Sequence, residues 1–173
     1  QLRLSNPRKR HFDDHFVDVT PCGDLEDTRG WTSVDVVYKG RKLRFINTHL
    51  DSFVEPVRLL QAQELLDRPA SVPGRKVIVG DLNDVPASAT LATLRGAGFR
   101  DAWARAGDGP GYTYGQDPDL RNVKSKLDQR IDYVLATKGI GVRDVQVVGN
   151  KPRERIAGLW PSDHAGVVAT LMP

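Results

Sequence analysis

The run Val77-Ile78-Val79-Gly80-Asp81-Leu82-Asn83-Asp84 constrains this chain more than any other stretch of it. Three consecutive aliphatic residues, all Val or Ile, suit a short strand covered on both faces. Glycine then lets the backbone turn and delivers an aspartate, an asparagine and a second aspartate to the strand's carboxyl end, where open α/β sheets bind ligands. If the chain stays extended, side chains two apart point the same way, so Asp81 and Asn83 are expected to share a site. Gly, Asp and Asn are also the commonest turn residues, and by themselves these letters describe an ordinary turn. What shifts the balance is that Asn47-Thr48-His49-Leu50, Arg130-Ile131-Asp132-Tyr133-Val134-Leu135 and Ser162-Asp163-His164-Ala165-Gly166-Val167-Val168 also set polar groups against apolar, strand-like runs.

The segments between these runs complete an α/β pattern. Trp31 to Tyr38 alternates, with Val34, Val36 and Tyr38 on one side and Ser33, Asp35 and Val37 on the other, as a half-buried strand should. Gly40 closes a turn into a returning strand, Leu43 to His49, so the pair reads as a hairpin. From Val54 to Leu66 the spacing is helical, with Leu59, Ala62 and Leu66 in one stripe and Pro56 suited to the first turn. A second short helix is expected over Ala87 to Arg95, and strands over Ile131 to Ala136, Val142 to Val148 and Ala165 to Leu171. Strand, helix and strand in succession imply an α/β class with at least one layered sheet. Gln1 to Arg29 shows little periodicity beyond a short strand at Phe16 to Val19. Its basic cluster Arg3, Arg8, Lys9, Arg10 reads first as solvated surface, with a phosphate-facing patch as the alternative.

At 173 residues the chain is expected to be a single domain, 1–173, with a real core. With 39% apolar and 27% charged residues it is of globular composition. No stretch approaches a membrane span, and no basic-then-apolar leader opens the chain, which begins at Gln1 and leaves the compartment open. The net charge of +3 leans weakly toward a polyanionic partner such as nucleic acid. A lone cysteine, Cys22, excludes an internal disulfide and any multi-cysteine zinc site.

Two histidines and several acids at strand ends invite specific chemistries, and most fail. Ser162, Asp163 and His164 are consecutive and cannot fold onto one another as a triad, and no Gly-x-Ser-x-Gly elbow exists. There is no His-Glu-x-x-His zinc motif, Walker A loop or dinucleotide fingerprint. Acids joined by amide and imidazole groups suit a hard divalent cation and phosphate oxygens instead. On the otherwise apolar face of its strand, Asp132 wants a hydrogen-bonding or cationic partner, for which His164 is the natural candidate. Phe99, Trp103, Tyr112 and Tyr114 belong to a long Gly- and Pro-rich stretch, read as packing residues with stacking on a ring as the alternative.

The ordered set Asn-Thr-His-Leu, Gly-Asp-Leu-Asn, Arg-Ile-Asp-Tyr-Val-Leu and Ser-Asp-His resembles the endonuclease/exonuclease/phosphatase superfamily, which includes DNase I-like and exonuclease III-like enzymes. Arg29-Gly30-Trp31, Arg58 and Gln61 fit the same pattern. The resemblance implies a DNase I-like four-layer α/β sandwich that hydrolyses phosphate esters with Mg2+ or Mn2+, as a phosphodiesterase or nuclease before a phospholipid or inositol-phosphate phosphoesterase. In that picture Asp81 orients or deprotonates the attacking water and Asn83 bonds a phosphate oxygen. His164 stabilises charge while Asp132 holds its ring, and His49 binds phosphate near the leaving group. Asp163 serves a metal, which Asp81 and Asn83 also approach. One departure matters. The superfamily's early strand ending in asparagine and its Gln-Glu metal ligand are not found, since Glu26 lies in an unsuitable run and Glu64 comes after His49. The chain therefore reads as the C-terminal portion of the domain, lacking much of the N-terminal half, with a further segment or second chain completing the site. The alternative is a catalytically incompetent fragment that acts as a phosphate-binding or interaction module.

Overall fold

A computed structural model describes residues 2–20 and 23–173; Cys22 lies outside the described residues. Ten strands and three α-helices are described in chain order. Strand β1 (Leu2–His11) is followed by the hairpin β2 (Phe16–Thr20) and β3 (Gly23–Asp27). Next come β4 (Gly30–Tyr38), β5 (Arg41–His49), helix α1 (Glu55–Asp67), β6 (Arg75–Asp81) and helix α2 (Ala89–Gly96). Short β7 (Phe99–Asp101) and α3 (Ala102–Ala106) precede β8 (Asp132–Thr137), β9 (Gly141–Val148) and β10 (Gly166–Met172). A six-stranded sheet runs in the order β1-β4-β5-β6-β8-β7, and β9 and β10 form a second, two-stranded sheet. The expected α/β class and its layered sheets are what the chain forms.

Each face of the large sheet has its own core. Ile46, Ile78, Tyr133 and Leu135 point to the side of α1 and α2 and join Leu65, Leu91 and Leu94. Val77, Val134 and Ala136 point the other way, onto Val145 with Val167, Ala169 and Leu171 of the small sheet. That is why Val77 and Ile78 are both buried, as a doubly covered strand requires. Helix α1 keeps Pro56 in its first turn, and the carboxylate of buried Asp51 accepts the Phe53 and Val54 N–H groups just ahead of it at 2.8 and 2.6 Å. Gln61, in place of an apolar residue, is fully buried on this helix. It accepts the Asp51 N–H at 2.7 Å and donates to the Asp14 carbonyl at 2.9 Å, which pins the N-terminal segment to the core.

Two readings of the sequence need correction. The N-terminal stretch does carry a long strand. All ten residues of β1 are exposed, so burial leaves no periodicity in them, and the strand is held as a sheet edge by pairing with β4. Pro7 and the Arg-Lys run suit an edge that must not recruit other strands. The Asp81–Asn83 segment is not extended, because Asn83 sits at φ 50°. On β4 the buried side is that of Trp31 and Ser33, while the apolar side is open: Tyr38 and, on β5, Phe45 are 41% and 37% exposed. Among the described residues β10 pairs only with β9, so the second sheet covers only part of this apolar face.

Gly80 is the tightest point of the large sheet. A Cβ there would sit 1.8 Å from the Thr48 carbonyl oxygen, and φ is 137°. Gly80→Ala is expected to lower unfolding free energy by roughly 3 kcal/mol, since both the clash and the backbone conformation oppose it. Urea unfolding checks this, and an unchanged midpoint contradicts it.

Candidate active site

Strand pairing alone assembles most of the site. The parallel β5–β6 register places His49 opposite Asp81, and the antiparallel β6–β8 register places Asp81 opposite Asp132. Paired residues across neighbouring strands present their side chains on one face, here the face away from α1. His49, Asp81 and Asp132 thus form one row at the end of three adjacent strands. His49 Nε2 lies 3.3 Å from Asp81 Oδ2, and His164 Nε2 lies 3.8 Å from the same oxygen. The other side of the His164 ring, Nδ1, meets Asp132 Oδ2 at 2.8 Å, so the partner anticipated for Asp132 is the one it has.

Asn83 reaches the group by a different route from side-chain alternation. Its backbone N–H donates to Asp81 Oδ1 at 2.8 Å, and its Nδ2 donates to the Leu50 carbonyl at 2.9 Å. The turn locks the Asp81 carboxylate, leaving Oδ2 between the two imidazoles. Asp163 is exposed, its Oδ1 accepts the Ser162 hydroxyl at 3.1 Å, and it is not one of the three residues whose ligand atoms cluster.

Two residues given no role from sequence hold the site in place. Thr113, fully buried in the long loop, accepts the Ile131 and Asp132 N–H groups on its hydroxyl, both at 3.2 Å. Its carbonyl accepts the Ala165 N–H at 2.7 Å, so one residue fixes both Asp132 and the segment that carries His164. The Tyr114 ring then packs against His164 with centroids 4.8 Å apart, which supports packing over free stacking for that aromatic. Arg29 presses its guanidinium on His49, with Nη1 2.9 Å from each ring nitrogen, and is oriented by Asp27 at 2.7 Å and Ser52 at 3.2 Å. Its only signal in the sequence was its place before Gly30-Trp31. Glu64, set aside as a metal ligand, is buried far along α1 and accepts the Asp13 N–H at 2.9 Å.

The hydrogen bond to Asp132 holds His164 above the ordinary imidazole range, with burial opposing it and the charges of Asp132, Asp81 and Asp163 adding to it. A basic flank adjoins this cluster. A cavity of about 390 Å³ beside His49 is lined by Lys9, Arg10, His11, Trp31, Thr32 and Asn47 among others. Carboxylate and imidazole atoms of Asp81, Asp132 and His164 lie within 4.8 Å of one another, close enough to share a cation. The donor set fits a hard divalent ion in kind, but Asp132 is committed to His164, so these residues supply only part of the six-fold oxygen shell that Mg2+ demands.

A family model described as Endonuclease/Exonuclease/phosphatase family matches residues 4–164. Among curated proteins none matches the chain. An endonuclease/exonuclease/phosphatase from Bacteroides vulgatus superimposes with a TM-score of 0.77 at 20% identity, over 99% of this chain and 66% of that one. The mannosyl-6-phosphatase of Bacteroides thetaiotaomicron gives 0.72 at 15% identity, over 99% and 67%. D. rerio TDP2, complexed with single-strand DNA product, gives 0.67 at 21% identity, over 96% and 69%. The chain thus spans about two thirds of the length of these structures, and the likeness is one of fold.

Asp132→Asn is expected to bring the His164 pKa down toward the ordinary imidazole value, read from its ring resonances in a pH titration of metal-free protein. Because the folded-state value is raised, the pair stabilises the fold fully below the unfolded-state pKa and loses that contribution as pH rises through the folded one. The stability gap between the two proteins should therefore shrink with rising pH. An unmoved His164 titration contradicts the assignment.

Proposed function

The chain belongs to the endonuclease/exonuclease/phosphatase family, and from that premise we propose that it forms the larger part of a phosphoesterase acting on phosphodiesters. The single observation that carries this reading is the placement of one carboxylate oxygen, Asp81 Oδ2, between two imidazoles at 3.3 and 3.8 Å. An anionic diester repels a nucleophile, and groups held in place to receive the developing charge offset that repulsion in the transition state.

In this reading Asp81 takes the proton of the attacking water, whose oxygen forms the new P–O bond as the bond to the leaving oxygen breaks. Asn83 spends one amide hydrogen on Leu50 and keeps its second hydrogen and its carbonyl for water and a phosphoryl oxygen. His164, whose cationic form the hydrogen bond to Asp132 favours, receives charge on the phosphoryl oxygens. His49 binds phosphate on the leaving-group side with Arg29 beside it. Asp81, Asn83 and, directly or through water, Asp163 would hold a divalent cation, Mg2+ or Mn2+, whose chemistry is to neutralise the phosphoryl oxygens. The basic cavity beside His49 supports a substrate with more than one phosphate, nucleic acid first.

We further propose that the site is completed by another segment, of the same protein or a second chain, that lies on the open apolar face at Phe45 and Tyr38 and adds a carboxylate. The incomplete donor set and the uncovered face support it. The polypeptide alone is therefore expected to bind Mn2+ weakly, by calorimetry, and to hydrolyse an aryl phosphodiester slowly. In the completed protein, Asp81→Ala is expected to lower kcat roughly a thousandfold, and a chelator to abolish turnover. Full activity of residues 1–173 alone, sensitive to both, would overturn the incomplete site. Inactivity of the completed protein would overturn the enzyme.

A further inference from the structure

Phe53 is 68% exposed, four residues beyond His49, and its backbone N–H is tied down. The buried Asp51 carboxylate accepts the Phe53 N–H, and Gln61 in the core of α1 holds the Asp51 N–H at 2.7 Å. Among the described residues the Phe53 ring meets that of Phe16 on the β2–β3 hairpin, with centroids 5.4 Å apart and planes 37° apart.

The pair is tied to the reaction centre through a closed circuit of contacts. Phe16 is paired across the hairpin with Asp27, and Asp27 holds Arg29 at 2.7 Å. Arg29 reaches His49 and also Ser52, the residue immediately before Phe53. His49 in turn is 3.3 Å from Asp81. A wide aromatic face and a guanidinium therefore stand together on the His49 side of the cluster, which is the combination that receives a flat ring and the phosphate attached to it.

Resting on the phosphoesterase reading above, we propose that Phe53, backed by Phe16, is the platform on which a planar ring esterified next to the scissile phosphate lies, with Arg29 meeting the phosphate charge. Phe53 is then a specificity-determining residue. It favours diesters that carry a nucleobase or an aryl group over those with small alkyl arms, and it does so by binding.

Equilibrium binding tests this without turnover, so its failure leaves the phosphoesterase reading to hydrolysis assays. A fluorescent oligothymidylate is compared with an abasic oligomer of equal phosphate number, and diphenyl phosphate is compared with dimethyl phosphate as a competitor. The expected result is binding roughly tenfold tighter for the base-bearing oligomer, lost in Phe53→Ala. It should also be lost in Phe53→Leu, which keeps an apolar contact with Phe16 but no ring face. Preference for diphenyl phosphate without discrimination between the oligomers assigns the ring to a small aryl ester; discrimination in both arms assigns it to a nucleobase. Equal binding within both pairs, no binding of any probe, or discrimination that survives Phe53→Leu overturns the proposal.

Discussion

The parallel register between β5 and β6 is the constraint on which the candidate site depends. It puts His49 beside Asp81, and the next ladder puts Asp132 beside Asp81, so three polar side chains emerge side by side on one face. A slip of one residue on β6 would send Asp81 to the helical face and Gly80 to the site. Gly80 helps fix the register, because only a residue without Cβ fits against the Thr48 carbonyl at that point. The backbone geometry of the sheet and the alignment of the chemical groups are thus one fact.

His164 is brought in differently. It comes from the loop ahead of β10, and Thr113 ties that loop to the start of β8 by hydrogen bonds to both. The length of the Gly- and Pro-rich stretch before β8 follows from this task. It must return to the site edge at Thr113–Tyr114, where backbone bridges to Gln129 and His164 hold it between two strand ends. Arg29 enters from the opposite side, from the connection between the hairpin and β4, and the two flanks close on a common row.

Most of this was legible in sequence where burial writes a pattern. The hairpin β4–β5, the helix after His49, the doubly covered β6 and the acid on the apolar side of β8 all follow from periodicity, and the partnership of Asp132 with His164 followed from the cost of an unpaired carboxylate there. Strand β1 was not legible because an exposed edge obeys hydrogen bonding rather than hydrophobic spacing. The open face of β4 was not legible either, because alternation says which residues share a side and not which side is covered. Asn83 was placed correctly near Asp81 for the wrong geometric reason: a left-handed turn, which asparagine tolerates, does what an extended chain was expected to do. Thr113 carried no signal, since a buried threonine in a loop announces neither its partners nor its reach.

In the proposed reaction His49 and His164 face one phosphoryl group across Asp81. Of the four histidines, these two come to the cluster on separate elements, His49 at the end of β5 and His164 ahead of β10. Titration of the protein with vanadate, followed by histidine ring resonances, tests the claim most directly. His49 and His164 are expected to shift together and to saturate at one concentration. Shifts with unrelated saturation, or movement of one ring without the other, would contradict it.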